Sequence, residues 1–244
     1  MGAVRVLDGH VERGRDGSWT SAREDFRIGP GEALRTGRDS LALLTLPWMQ
    51  ILVGGDAVLA LPPKRVLSAS LERGRIQERA STEILKVSTE EAEVRGRGTV
   101  VVSRGAATPL LTRVSSLEGV FRVKAGRHTI SLAAGQGAVV AKGAAPEIVP
   151  LPEPPRGLSP GTDPVYVEKG RAVRLAWTGA TRRYHLELTS LDGGEVVLAR
   201  DVEGLQAELP TRWLGTFRWR VSAVDDAGLE GSPSEPGLLC VVEK

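Results

Sequence analysis

Hydrophobic positions in this chain recur with a period of two, in short runs. Val173-Arg174-Leu175-Ala176-Trp177, Tyr184-His185-Leu186-Glu187-Leu188 and Phe217-Arg218-Trp219-Arg220-Val221-Ser222-Ala223 alternate apolar and polar side chains, as half-buried strands do. Leu41-Ala42-Leu43-Leu44-Thr45-Leu46 and Val58-Leu59-Ala60-Leu61 are apolar on both faces and predict buried strands, the second ended by Pro62-Pro63. Helical periodicity is scarce. From Ile76 to Arg95 neither glycine nor proline intervenes, yet Ile84, Leu85 and Val87 suit a strand as well as a helix. Segments around Gly9, Gly74 and Gly119 read as short strands each closed by a glycine. Strand-like runs spaced this closely indicate an all-β chain: sandwich, barrel or solenoid. Two segments, Ile28 to Leu34 and Leu132 to Val139, each place a tight glycine turn between strand-like pieces. Stacked strand–turn units of that kind form a solenoid or a rolled sheet.

The pattern breaks once. Pro146, Pro150, Pro152, Pro154, Pro155, Pro160 and Pro164 crowd a single region, which predicts an extended, stiff linker over 144–163. It separates a domain at 3–143 from one at 164–244. In the latter, Asp192-Gly193-Gly194 is a hairpin turn signal. About seven short strands in some eighty residues suit a two-sheet sandwich.

Residues 4–141 resemble the FecR domain of bacterial envelope proteins. The resemblance runs through Asp16-Gly17-Ser18-Trp19, Gly31 to Ala42, Leu71 to Ile76, Val94-Arg95-Gly96-Arg97-Gly98-Thr99, Gly119 and Gly135-Gln136-Gly137, in family order. It implies a periplasmic or envelope-associated, solenoid-like or rolled β domain. Residues 164–243 resemble an immunoglobulin-like, fibronectin type III-like sandwich, carried by Trp177, Tyr184 to Leu188 and Phe217 through Ser234. Phe217 stands where that family has a tyrosine, so its corner hydrogen bond is absent or moved. The sigma-regulating role of the namesake FecR proteins is not implied, because their anti-sigma helices, membrane helix and transporter-contacting domain have no counterpart here.

Charge is nearly balanced, 32 basic against 30 acidic residues, which argues against nucleic acid as partner. Cys240 is the single cysteine, so neither an intrachain disulfide nor a cysteine zinc site is expected. No run approaches the roughly 20 apolar residues of a membrane span, and no signal peptide pattern opens the chain. No HExxH, GxSxG or phosphate-loop spacing occurs. His10, His128 and His185 are isolated and read as outward-facing strand histidines. Glu90-Glu91-Ala92-Glu93 reads as a solvated edge, since calcium loops alternate their acids with glycine or asparagine. We therefore expect no catalytic residue, cofactor or metal.

Binding is the remaining class. Trp177 and Trp219 lie on apolar strand faces and read as core, Trp213 as core or partly exposed, and Trp19 as a structural plug. Pro47-Trp48-Met49-Gln50 joins two strands, so Trp48 and Met49 form a candidate exposed apolar spot. Arg95 and Arg97 are candidate contacts to an anionic partner. The expected function is non-catalytic binding or scaffolding in the envelope. The expected partner is another envelope protein or a second copy. Peptidoglycan binding and periplasmic signal sensing are the alternatives.

Overall fold

The computed structural model describes residues 2–15, 17–22, 25–47, 49–63, 68–105 and 109–243; the side chains of 81–83 and 85 lie outside that description. The chain is all-β and divides into two compact units, residues 1–151 and 152–244.

The first unit contains, in chain order, β1 (Gly2–Asp8), β2 (Val11–Arg15), β3 (Ser18–Ala22), β4 (Phe26–Ile28), β5 (Ala33–Thr36), β6 (Leu41–Leu46), β7 (Met49–Val53), β8 (Val58–Ala60), β9 (Ala69–Ser88), β10 (Glu93–Arg104), β11 (Leu111–Ala125), β12 (His128–Ala133), β13 (Gln136–Ala141) and β14 (Glu147–Pro150). Three long antiparallel strands, β9, β10 and β11, form its spine. β9 forks, pairing β8 through residues 70–73 and β7 through 76–80. Two arms continue from the fork, β8-β5-β2-β3 and β7-β6-β1-β4. β11 forks likewise, onto β13 through 111–116 and β12 through 120–125. A sheet that forks at both sides rolls rather than lying flat.

One contact marks the roll. Arg104 ends β10, and its Nε lies 2.8 Å from Oε2 of Glu91, just before that strand begins. A straight strand of this length would span roughly 40 Å, so the spine curls back on itself. The bend is at Gly98 and Gly119, which face each other in register with φ of +122° and +86°. A Cβ on either would sit 2.0 Å from the opposite carbonyl oxygen, so only glycine fits. Gly74 and Gly119, read as strand ends, instead lie inside 20- and 15-residue strands. Positive φ lets those strands bend without stopping. The roll encloses one core, in which Val4, Leu44, Ile51, Ile76, Val100 and Phe121 are among the fully buried members.

The second unit holds β15 (Arg156–Ser159), β16 (Val165–Glu168), β17 (Ala172–Thr178), β18 (Arg183–Ser190), β19 (Val196–Glu203), β20 (Gln206–Pro210), β21 (Gly215–Val224), β22 (Glu230–Pro233) and β23 (Gly237–Val242). It is a two-sheet sandwich with immunoglobulin-like order, β15-β17-β20 on one sheet and β16-β23-β21-β18-β19 on the other. Strand alternation turns Trp177, Tyr184, Leu186, Phe217 and Trp219 inward. Trp177 meets Tyr184 edge-on at 5.4 Å and Trp219 at 6.4 Å between ring centroids, separations that favour aromatic pairs. Trp219 donates Nε1–H to the Pro160 carbonyl at 3.1 Å. Phe217 has no hydroxyl to donate; on β18, Tyr184 donates to the Thr181 carbonyl at 2.8 Å. The proline-rich residues 144–163 supply an edge strand to each unit, β14 on β13 and β15 on β17. Edge strands tolerate proline because one side needs no ladder donor.

Candidate functional site

Beyond the glycine bend, the outer face of β9 to β12 gathers cations. Cross-strand register aligns Lys86, Arg95, Arg122 and Ser131 in one row. The next row holds Ser88, Glu93, Lys124 and Thr129, and Arg97 lies beside Val120 on the other flank. Neighbours in a row are about 5 Å apart, and alternate residues of a strand about 6.8 Å. The alternation is clean: Phe121, Val123 and Leu132 point into the core, while Val120, Arg122, Lys124 and Ser131 face water.

Among the described residues, five cations thus share these rows and their flank with one carboxylate, Glu93. Glu93 takes Lys86 Nζ at 2.7 Å and Arg95 Nε at 2.6 Å. The hydrogen bond from Lys86, aided by both positive charges, holds its carboxyl below the usual range against the opposing effect of burial. Arg97, Arg122 and Lys124 have no side-chain partner among the described residues. Two branched apolar side chains lie exposed on the same face, Val120 at 59% and Ile84 at 52%. The imbalance extends to the whole unit: residues 1–151 carry 21 Lys and Arg against 16 Asp and Glu, a net of +5. Residues 152–244 carry 11 against 14, a net of −3.

Next to the bend, the same outer face forms a groove of about 570 Å³, lined by Thr45, Gln50, Arg79, Thr99 and Glu118 among others. Thr99 donates to Glu118 at 2.8 Å there. A second groove, of about 760 Å³, lies along β2 and β3 with Arg13, Arg15 and Glu32. Its cations are already paired. Glu32, 4% exposed, accepts Arg13 Nε at 3.0 Å and Gly29 N–H at 2.7 Å, with Arg15 at 3.2 Å. Burial pushes the Glu32 carboxyl up, yet these partners hold it below its ordinary value. The distal face, with three unpaired cations, is the better anion site.

The sequence-derived candidates divide accordingly. Arg95 and Arg97 lie on the distal face, beside Lys86, Arg122 and Lys124, which sequence reasoning missed. The signal was there, since Val120 to Lys124 alternates like a half-buried strand, but only register shows which strands sit side by side. Met49 borders the bend groove yet is 4% exposed. It heads the inward-facing row Met49, Ile51, Val53, which corrects the expectation that it offers surface. Trp48 lies outside the described residues. Trp19 is half-buried, stacked under the Arg35 guanidinium at 4.5 Å.

Two polar clusters also differ from expectation. Glu91 is not a solvated edge. Its side chain is 1% exposed, and Arg104 grips it in two-point fashion at 2.8 and 2.7 Å while Thr112 donates at 2.7 Å. The curl of β10 brings these groups together. His185 is not outward and solvated either. It is 6% exposed, with Nδ1 2.7 Å from Asp201 Oδ1. His10 does face water, 59% exposed. No group of three or more His, Cys, Asp or Glu side chains fit to hold a metal occurs among the described residues. Nor does a helix long and apolar enough to cross a membrane.

No family model matches the chain, and no curated protein does. Among solved structures, two crystal structures of a presumed anti-sigma factor from Parabacteroides distasonis are similar at 18% identity and a TM-score of 0.40. Each match covers 48% of this chain and 57% of that one. A run of titin domains is similar at 16% identity and a TM-score of 0.29, over 93% of this chain and 86% of that one. At these scores neither carries an argument for function.

Proposed function

We propose that the chain is a non-catalytic binding protein of the bacterial envelope, which attaches through the distal face of its first unit to an anionic macromolecular surface. The observation that carries this reading is the trio Arg97, Arg122 and Lys124, exposed, adjacent and unpaired among the described residues. The envelope setting rests on the FecR resemblance. A scaffolding role for the second unit is favoured by its edge strand β16, where Val165 and Tyr166 are 41% and 69% exposed. An edge with apolar side chains is open to strand addition by another protein.

The test is retention of the purified chain on isolated sacculi and on whole envelope fractions, at low and high salt. We expect the wild type to be retained and the triple variant Arg97→Ser, Arg122→Ser, Lys124→Ser to be released. Equal retention of both, or of neither, sinks the reading. Release of the wild type from every fraction by salt would reduce it to unspecific attraction.

A further inference from the structure

The distal face combines two features that one class of partner satisfies together. Resting on the reading above, we propose that this face docks on a bilayer surface rich in anionic phospholipid. Lys86, Arg95, Arg97, Arg122 and Lys124 project from neighbouring strands of one sheet face. Arginine meets phosphate oxygens with two parallel N–H donors. Among these cations sit Val120 and Ile84, more than half exposed. A hydrated polyanion would leave both in water. The headgroup region of a bilayer accepts cations at the phosphates and short apolar side chains just beneath. Among the described residues of these rows Glu93 opposes that attraction, and Lys86 and Arg95 already neutralise it, while Glu118 lies at the glycine bend beside Thr99. The positive net charge of the first unit supports the same orientation.

The experiment is vesicle co-sedimentation of the full chain, with pure phosphatidylcholine vesicles against vesicles containing phosphatidylglycerol. We expect binding that requires phosphatidylglycerol and that salt weakens without abolishing, because Val120 and Ile84 add an apolar share that salt does not screen. Each cation near such a surface is worth about fivefold in affinity, so Arg97→Ser, Arg122→Ser, Lys124→Ser together should cost about a hundredfold. Val120→Asn should cost less, about fivefold. All four positions face water, so thermal melts of the variants should overlay the wild type and exclude unfolding. Equal binding to both vesicle types, no binding, or a triple variant that binds like the wild type would each overturn the proposal. Retention on sacculi without vesicle binding would overturn lipid docking alone and leave the broader reading intact. Failure on both removes both.

Discussion

Glu91 and Glu78 are buried carboxylates of the same unit with opposite circumstances. Glu91 sits where the rolled spine closes, held by Arg104 and Thr112. The Arg104 hydrogen bond leads the effects that hold its carboxyl below the ordinary value, over the opposing desolvation. Glu78 sits mid-spine on β9, between Ile51 of β7 and Val100 of β10 in register. It is 0% exposed, and neither oxygen has a hydrogen-bond partner among the described residues. Burial pushes its pKa up from 4.5 to about 8. The same side chain thus reinforces the fold where it is paired and opposes it where it is not. Partners decide, since removing a charge from water is costly unless something inside replaces the water.

The largest expected effect breaks this comparison at Glu78. Its folded-state pKa lies above the unfolded value, so folding favours the protonated form. The contribution is fully present below pH 4.5 and is lost as pH rises to about 8. The span corresponds to at most about 5 kcal/mol. Unfolding free energies measured from pH 5 to 9 should fall across that window in the wild type. Glu78→Met, of similar volume and without charge, should flatten the curve and be more stable at pH 8. A flat wild-type curve would show that Glu78 finds a partner or water.

Glu91→Ala comes next. It leaves the buried Arg104 with only the half-exposed Glu90 and a backbone carbonyl as partners, a loss of up to about 3–5 kcal/mol by denaturant unfolding at neutral pH. Here the pH sign reverses. The Glu91 pKa is depressed, so its contribution is present above the ordinary value of 4.5 and is lost as pH falls below it. Opposite pH limbs from two glutamates of one unit would be the sharpest form of the contrast. A Glu91→Ala variant as stable as the wild type would mean that the clamp merely accompanies the roll.

Much of this was legible in the sequence. Period-two runs such as Phe217 to Ala223 announced their strands, because alternation is a local property and burial follows it. What was not legible depends on pairing between distant segments. Gly74 and Gly119 look alike whether they end a strand or bend it, since positive φ serves both uses. Glu90-Glu91-Ala92-Glu93 reads as a polar edge until the curl of β10 delivers Arg104. Arg95 and Arg97 were visible as a pair, but their union with Arg122 and Lys124 is a matter of register. Met49 misled because a proline-aromatic corner suggests exposure, while the strand it opens turns it inward.

At the bend that makes the clamp possible the conformational part of the loss is smaller, and a steric part adds to it. Gly119→Ala forces a side chain into left-handed backbone, at about 1–3 kcal/mol for conformation alone. The new Cβ also meets the Arg97 carbonyl oxygen at 2.0 Å. If the bend serves to bring Glu91 to Arg104, the losses from Gly119→Ala and Glu91→Ala should not add in the double variant. Full additivity in chemical melts would separate the bend from the clamp.

The smallest effect lies at the rim of that clamp. Glu90 bridges Arg104 at 2.8 Å and Lys142 at 2.6 Å, but Glu90 is 49% and Lys142 74% exposed. Water solvates both groups almost as well in the unfolded chain, and salt screens what remains. Lys142→Met should therefore leave the thermal midpoint within the scatter of replicate melts at moderate salt, though its ion pair is as short as those inside. Distance alone would rank it with Glu91 and Arg104; burial ranks it far below. A midpoint that drops as it does for Glu91→Ala would mean that the cluster acts as one cooperative network reaching to its exposed end, and the contrast between paired and unpaired carboxylates would then have to be drawn between whole networks rather than single residues.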